Sequence, residues 1–326
     1  MTSTLLASLV LPSAAFVPAF ASQGPAPAPE SAAAGAPASR PALPDPLRLR
    51  IGRPGEATVW PGQIRNLRND TTATVADIAR AAAGHRFVYL GESHDQLAHH
   101  EMQAAVIDAL VAAGRDVVVG FEMLTRPVQD RLDGWTLGWW SEEEFLRQID
   151  WQNQWGMDFA LYRPVFESVR RHRLPMVALN IPRSWVRTVG REGFAALGAD
   201  ERAQVPEPYL GNAEHRAVFS ALMGGHPTGG RGENIYAAQV LWDEAMADSA
   251  LRYLDRFPRS RNTVMVMIVG SGHAMYGQGI NWRVWRRTGE IGLSLIMTTS
   301  DRPVTVSRGL GDFVYVALPA GGPSRE

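Results

Sequence analysis

Apolar residues in this chain gather into short unbroken runs that stop at glycine or a polar cluster, and between them lie stretches where they recur every three or four positions. Phe87-Val88-Tyr89-Leu90 is one such run, ending at Gly91 and handing over to Glu92, Ser93, His94 and Asp95. The spacing of Met102, Ala105, Val106, Ala109, Leu110 and Ala113 predicts a helix over 97–113, with Gly114 where a helix C-terminus favours it. Val117-Val118-Val119 is a second run and delivers Glu122 to its carboxyl end. A strand, a helix and a strand in this order form a βαβ unit with parallel strands. Ligands of open parallel sheets bind outside the carboxyl strand ends, which places Glu92, His94 and Glu122 on the crevice.

The two patterns alternate along the rest of the chain. Runs at 57–60 and 64–67 around Pro61-Gly62 predict a small hairpin or a pair of edge strands, and Thr74 can cap a helix through residue 83. After Glu122 the pattern turns helical and rich in tryptophan: Trp135, Trp139, Trp140, Trp151 and Trp155 read as indoles filling a helical insertion, or as an aromatic wall for a large flat ligand. A helix over 159–173 leads to a strand over 176–179 that ends at Asn180, and Ile181-Pro182-Arg183 starts a further helix. Residues 198–231 are rich in Gly and Pro, so His215 and His226 read as surface residues. In the long helix over 233–257, Gln239, Asp243 and Met246 share one face, and Asp243 reads as readily as a helix-surface charge as a site residue. The run 264–269 enters Gly270-Ser271-Gly272-His273; a helix over 280–287, a strand over 291–297 and an edge strand over 313–318 follow. The fold class is α/β, a central and largely parallel sheet flanked by helices with a helical insertion, spanning residues 47–318.

Composition narrows the partners. A chain of 326 residues that is 45% hydrophobic can bury a full core, and a net charge of -1 offers no field for nucleic acid. With no cysteine there are no disulfides or thiolate sites, and with no lysine any anion must be met by arginine, histidine or backbone N–H. Residues 5–20 are apolar and lead to Ala19-Phe20-Ala21, a small-x-small pattern that reads as a signal peptide over 1–21, although no Lys or Arg precedes it. Residues 22–46, dominated by Ala, Pro, Gly and Ser, read as a disordered linker, and residues 319–326 as a loose tail. No later run reaches the length of a membrane span, so the expected location is the periplasm or another exported compartment.

The chemistry-bearing residues repeat a pattern. Gly91-Glu92-Ser93-His94 and Gly270-Ser271-Gly272-His273 are two Gly-x-x-His turns, each directly after an apolar strand. With Glu92, Glu122 and Asn180 at neighbouring strand ends, these residues can hold a divalent metal ion, and they can equally run metal-free acid/base catalysis on a carboxylate–histidine pair. His99 and His100 lie a turn further on, one of them facing solvent.

LGESHD, the following HH, GFEM, the tryptophan-rich segment, ALNIPR, AQVLWDEAMA and GSGHAMYGQGI stand in the order and spacing of the ChaN-like haem-binding uptake proteins, which the chain resembles from residue 47 to 318. The resemblance extends to the wider group of Tiki metalloproteases and erythromycin esterases. It implies a haem-binding function in bacterial haem and iron uptake, with haem held through a tyrosine in a homodimer. Tyr276 is the tyrosine inside a matched segment, and the tryptophans, Met275 and Arg183, with Asn180 at the crevice edge, would meet the rest of the haem. The Tiki and esterase branches imply instead a hydrolase, with His94, His273 and Glu92 or Glu122 as metal ligands or catalytic residues.

Overall fold

The computed structural model describes residues 44–224 and 231–320. The expected signal peptide, nearly all of the linker, the end of the tail and His226 lie outside the described residues.

The strands are β1 (Glu56–Val59), β2 (Ile64–Asn66), β3 (Thr71–Ala73), β4 (Phe87–Glu92), β5 (Asp116–Thr125), β6 (Met176–Asn180), β7 (Thr263–Gly270), β8 (Leu293–Thr299), β9 (Val304–Ser307) and β10 (Phe313–Ala317). An 8-stranded sheet has the order β3-β2-β10-β8-β4-β7-β5-β6, in which β10, β8, β4, β7, β5 and β6 run parallel and β2 and β3 are antiparallel additions. The apolar runs are unbroken because both faces of the central strands are covered. Val88 and Leu90 of β4 and Val264, Val266 and Ile268 of β7 pack beneath helices Leu97–Ala112 and Phe159–Arg171. Phe87, Tyr89, Met265, Met267 and Val269 face the other way, against helices Arg231–Arg256 and Ile280–Thr288. Trp135 and Trp151 pack within the helical insertion between β5 and β6, where Trp135 donates to the Phe166 carbonyl at 2.7 Å.

Two local expectations are corrected. The runs around Pro61-Gly62 are not a hairpin: β1 pairs with β9 in a separate 2-stranded sheet, and β2 joins the main sheet beside β10 and β3. A turn does form there, with Gln63 N–H on the Trp60 carbonyl, but Gly62 N–H bonds Val316 across the sheet and carries the chain from one sheet to the other. For the same reason β10 is no edge, since β2 covers its outer side. The helix capped by Thr74 is present as Val75–Ala81, with a capping box formed with Asp77.

What positions the site is strand order. β7 lies between β4 and β5, in the register Glu92↔Gly270 against β4, so both Gly-x-x-His turns and Glu122 emerge side by side.

Candidate functional site

The first half of the site is built on Glu92, the last residue of β4, whose side chain is fully buried. His94 Nδ1 lies 2.8 Å from one carboxylate oxygen, to which the Tyr162 hydroxyl also donates at 3.1 Å. The other oxygen accepts from Gln103 Nε2 at 2.7 Å and lies 2.9 Å from His100 Nε2. Burial alone would raise the pKa of Glu92; His100 and His94 outweigh it and hold the carboxyl well below the usual range. The pKa of His94 is raised despite its burial, because Glu92 and Glu122 favour the imidazolium. Trp155 packs edge-on to the His94 ring at 4.8 Å and donates its indole N–H to Tyr162 at 2.9 Å. Contrary to expectation neither His99 nor His100 faces solvent. His99 Nδ1 accepts the Ser93 N–H at 2.9 Å and so fixes the turn that carries His94.

Glu122 stands between the two histidines. One of its oxygens accepts the Gly270 N–H at 2.7 Å and the other lies 3.4 Å from His273 Nε2. The His94 ring rests on Gly270: a Cβ there would come within 3.0 Å of His94 Nε2, so glycine is what leaves the ring its place. On its far side His273 Nδ1 meets Asp243 at 2.6 Å. Asp243 is therefore no surface charge, and His215, also read as exposed, is buried with Nε2 2.8 Å from the second oxygen of Asp243. Arg283 approaches the same oxygen at 3.4 Å. Burial works against a charged His273, but Glu122 and Asp243 prevail and lift its pKa to about 10. The result is a row of alternating charge, Glu92, His94, Glu122, His273, Asp243, across the ends of β4, β7 and β5 and the helix Arg231–Arg256.

The other expected residues lie at the margin. Asn180 Nδ2 donates to the Glu122 carbonyl at 3.1 Å and its oxygen accepts the Ile181 N–H, which holds the strand end in shape. Arg183 lies over the Trp155 ring at 5.3 Å and donates to the Trp155 carbonyl. Tyr276 is displaced from the role expected of it: its hydroxyl donates to the Pro46 carbonyl and accepts the Leu49 N–H, both at 2.9 Å, and its ring and Met275 are buried in the core. Of the expected metal set, His94 Nδ1 is turned on Glu92 and His273 Nε2 on Glu122, and among the described residues no group of three His, Asp or Glu side chains stands ready to hold a metal ion. Concavities of about 280 and 410 Å³ lie elsewhere, at the amino strand ends beside Arg86 and Arg259 and on the insertion beside Trp135 and Arg170.

Tyr209, which sequence reasoning passed over, stands out on the surface. Tyr89, Tyr162, Tyr236 and Tyr276 are buried, whereas Tyr209 is 47% exposed. Its ring stacks on Trp282 with centroids 5.6 Å apart, and the Arg286 guanidinium lies 4.9 Å from its centroid.

A family model described as haem-binding uptake, Tiki superfamily, ChaN matches residues 78–284. Among solved structures the fold is similar to that of ChaN of Campylobacter jejuni with cofacial haem binding, at a TM-score of 0.59 and 16% identity, covering 77% of this chain and 95% of that one. A mutant erythromycin esterase in its open conformation is matched at a TM-score of 0.41 and 13% identity, over 74% of this chain and 77% of that one. A search of curated protein sequences found no match. No helix among the described residues is long and apolar enough to cross a membrane.

Proposed function

Because the chain belongs to the haem-binding uptake family of the Tiki superfamily that includes ChaN, we propose that it binds haem for uptake and that Tyr209 is the residue that meets the iron. The observation that carries this reading is the exposure of Tyr209 beside an indole and an arginine. Haem needs an axial donor, an apolar bed and cations for its carboxylates, and a tyrosinate is an established donor to ferric haem. The strand-end residues fit this need less well: His273 is engaged at both ring nitrogens, by Asp243 and Glu122, and His94, whose Nε2 is left open, has only 22% of its side chain exposed. The Tyr209 surface does fit. Haem bound there supplies a ferric centre to be carried, and Trp282 and Arg286 shield one side of the phenol from water. Two copies meeting through such surfaces would give the homodimer implied by the family. The apolar stretch before Ala19-Phe20-Ala21 supports a site of action outside the cytoplasm.

The test is a titration of the purified full chain with haemin, followed at the Soret band. Even the outer partners of a metal ligand contribute ~10–100-fold to affinity, and the ligand should contribute no less. Tyr209→Phe should therefore weaken binding ~10-fold or more and shift the spectrum, while Tyr276→Phe leaves the spectrum unchanged. Equal spectra and affinities for wild type and Tyr209→Phe would sink the assignment.

A second reading, hydrolysis, is favoured by one specific feature: His94 is oriented through Nδ1 by a buried carboxylate and turns Nε2 toward the space over Gly270 beside Glu122. In its neutral form Nε2 can take a proton from a water molecule, and the imidazolium so formed can return it to a leaving group. Arg183 stands at the same mouth. If the wild-type chain hydrolyses a chromogenic carboxylic ester, His94→Ala should lower the rate by ~100-fold or more in protein shown by circular dichroism to remain folded at the assay temperature, since general acid/base catalysis is worth about that much. A rate that survives the substitution would exclude His94 as the base.

A further inference from the structure

Building on the haem reading of the Tyr209 surface, we infer that Arg286 receives a propionate carboxylate of the porphyrin and that Trp282 and Trp285 form the bed beside it. The argument starts from the helix Ile280–Thr288. Ile280, Arg283 and Val284 are its buried positions, which leaves Trp282, Trp285 and Arg286, spaced by three and four, on the outer side. Trp285 is 47% exposed, as is Tyr209 in the loop ahead of the helix Ala213–Leu222. Large apolar surface kept out of the core next to a cation is the make-up of a recognition surface.

Charge singles out Arg286 among its neighbours. Arg283, Arg286 and Arg287 all surround one carboxylate, Glu244, and Asp243 engages Arg283 as well, which leaves this corner one more arginine than carboxylates. Arg287 makes the shortest of these contacts, and Arg283, fully buried, also donates to the carbonyls of Gln278 and Gly279. Arg286 has the longest, 3.9 Å, with 38% of its side chain exposed. Its guanidinium lies 4.9 Å from the Tyr209 centroid and 5.0 Å from that of Trp282. A guanidinium laid against aromatic rings is held in place yet keeps N–H groups at its edge for a carboxylate, which it can bind through two hydrogen bonds. A flat apolar disc with carboxylates on one edge is complementary to this surface in both shape and charge.

The experiment compares haemin with haemin dimethyl ester, which keeps the disc and the iron and lacks the carboxylates. Full-length wild type, Arg286→Ala and Arg286→Lys are titrated with each, reading the Soret band and tryptophan quenching, with circular dichroism as the check on folding. Arg286→Ala should weaken haemin roughly 10-fold or more, the worth of a charge-assisted hydrogen bond, and weaken the dimethyl ester, which loses only the packing of Arg286 on the rings, by a clearly smaller factor. Arg286→Lys should recover part of the loss. An equal loss with both ligands, or none with haemin, overturns the propionate role. If wild type binds haemin and Tyr209→Phe is weakened while Arg286→Ala is not, this inference fails and the haem reading stands. If wild type gives no Soret change, both fall.

Discussion

Asp243→Asn is expected to lower the unfolding free energy by about 3–5 kcal/mol at neutral pH, the cost of stripping one partner from a buried ion cluster. Asp243 is wholly buried and serves His273 at 2.6 Å, His215 at 2.8 Å and Arg283 at 3.4 Å. An asparagine keeps the shape but turns an amide N–H₂ toward groups that are themselves donors, and Arg283 keeps its charge in a dry setting. The effect has a definite pH dependence. His273 is raised in the folded state to about 10, so its contribution is fully present below its unfolded pKa of ~6.5 and is lost as pH climbs through 10. Asp243 itself is depressed, chiefly because Arg283 and His273 outweigh its burial, so its contribution holds above its unfolded pKa and fades on acidification below that value. The gap between wild type and variant should be widest near pH 5–6.5 and narrow toward pH 10, as chemical denaturation at a series of pH values would measure. A gap under ~1 kcal/mol, or one that is flat with pH, would mean that the cluster is not held together by charge.

Gly279→Ala should also be strongly destabilising. A Cβ at Gly279 would lie 1.9 Å from the His273 carbonyl oxygen and 2.5 Å from its carbon, and backbone cannot swing aside as a side-chain end can. Overpacking of this kind costs ~3 kcal/mol or more where no flexible group can yield. The turn bearing His273 must move, and with it the contact to Asp243. Gly277→Ala is the control. Gly277 has a φ of 70° but nothing within 4 Å of its added Cβ, so only the left-handed penalty of ~1–2 kcal/mol applies. Thermal unfolding of the two variants should therefore rank Gly279→Ala below Gly277→Ala, although the sign of φ alone would give the reverse order.

The fold was legible where burial on both faces leaves an unbroken apolar run, as in β4, β6 and β7, and where helical spacing is long, as in 97–112. Glu92, His94, Glu122 and His273 could be singled out because a polar residue directly after such a run has left the core at its carboxyl end. Asp243 and His215 could not be placed with the same security. Each sits on a helix, where a polar residue among apolar neighbours looks the same from sequence whether it meets water or a buried partner. The one sign was positional: Asp243 lies one turn from Gln239, whose Nε2 is 3.1 Å from His273 Nδ1, in a stretch from 237 to 247 where Glu244 is the one other charged residue. Tyr209 was missed for the opposite reason, since it lies in a Gly/Pro-rich stretch without periodicity and its exposure depends on a stack with Trp282, more than seventy positions away. The false hairpin came from trusting proximity in sequence over the pairing partner that arrives at the far end of the chain.

That late arrival has a consequence for how the protein is made. β4 and β5 are synthesised early, but the strand that belongs between them is β7, more than 130 residues beyond β5. Until the ribosome has delivered residue 270, two apolar strands wait with facing edges unpaired, and no partial chain can bring Glu122 to the Gly270 N–H or His94 to its seat. Closing so long a loop is slow, and unpaired edges invite other chains. The row of charges at the strand ends thus marks the closing of that gap: it comes into being only when β7 has slid home.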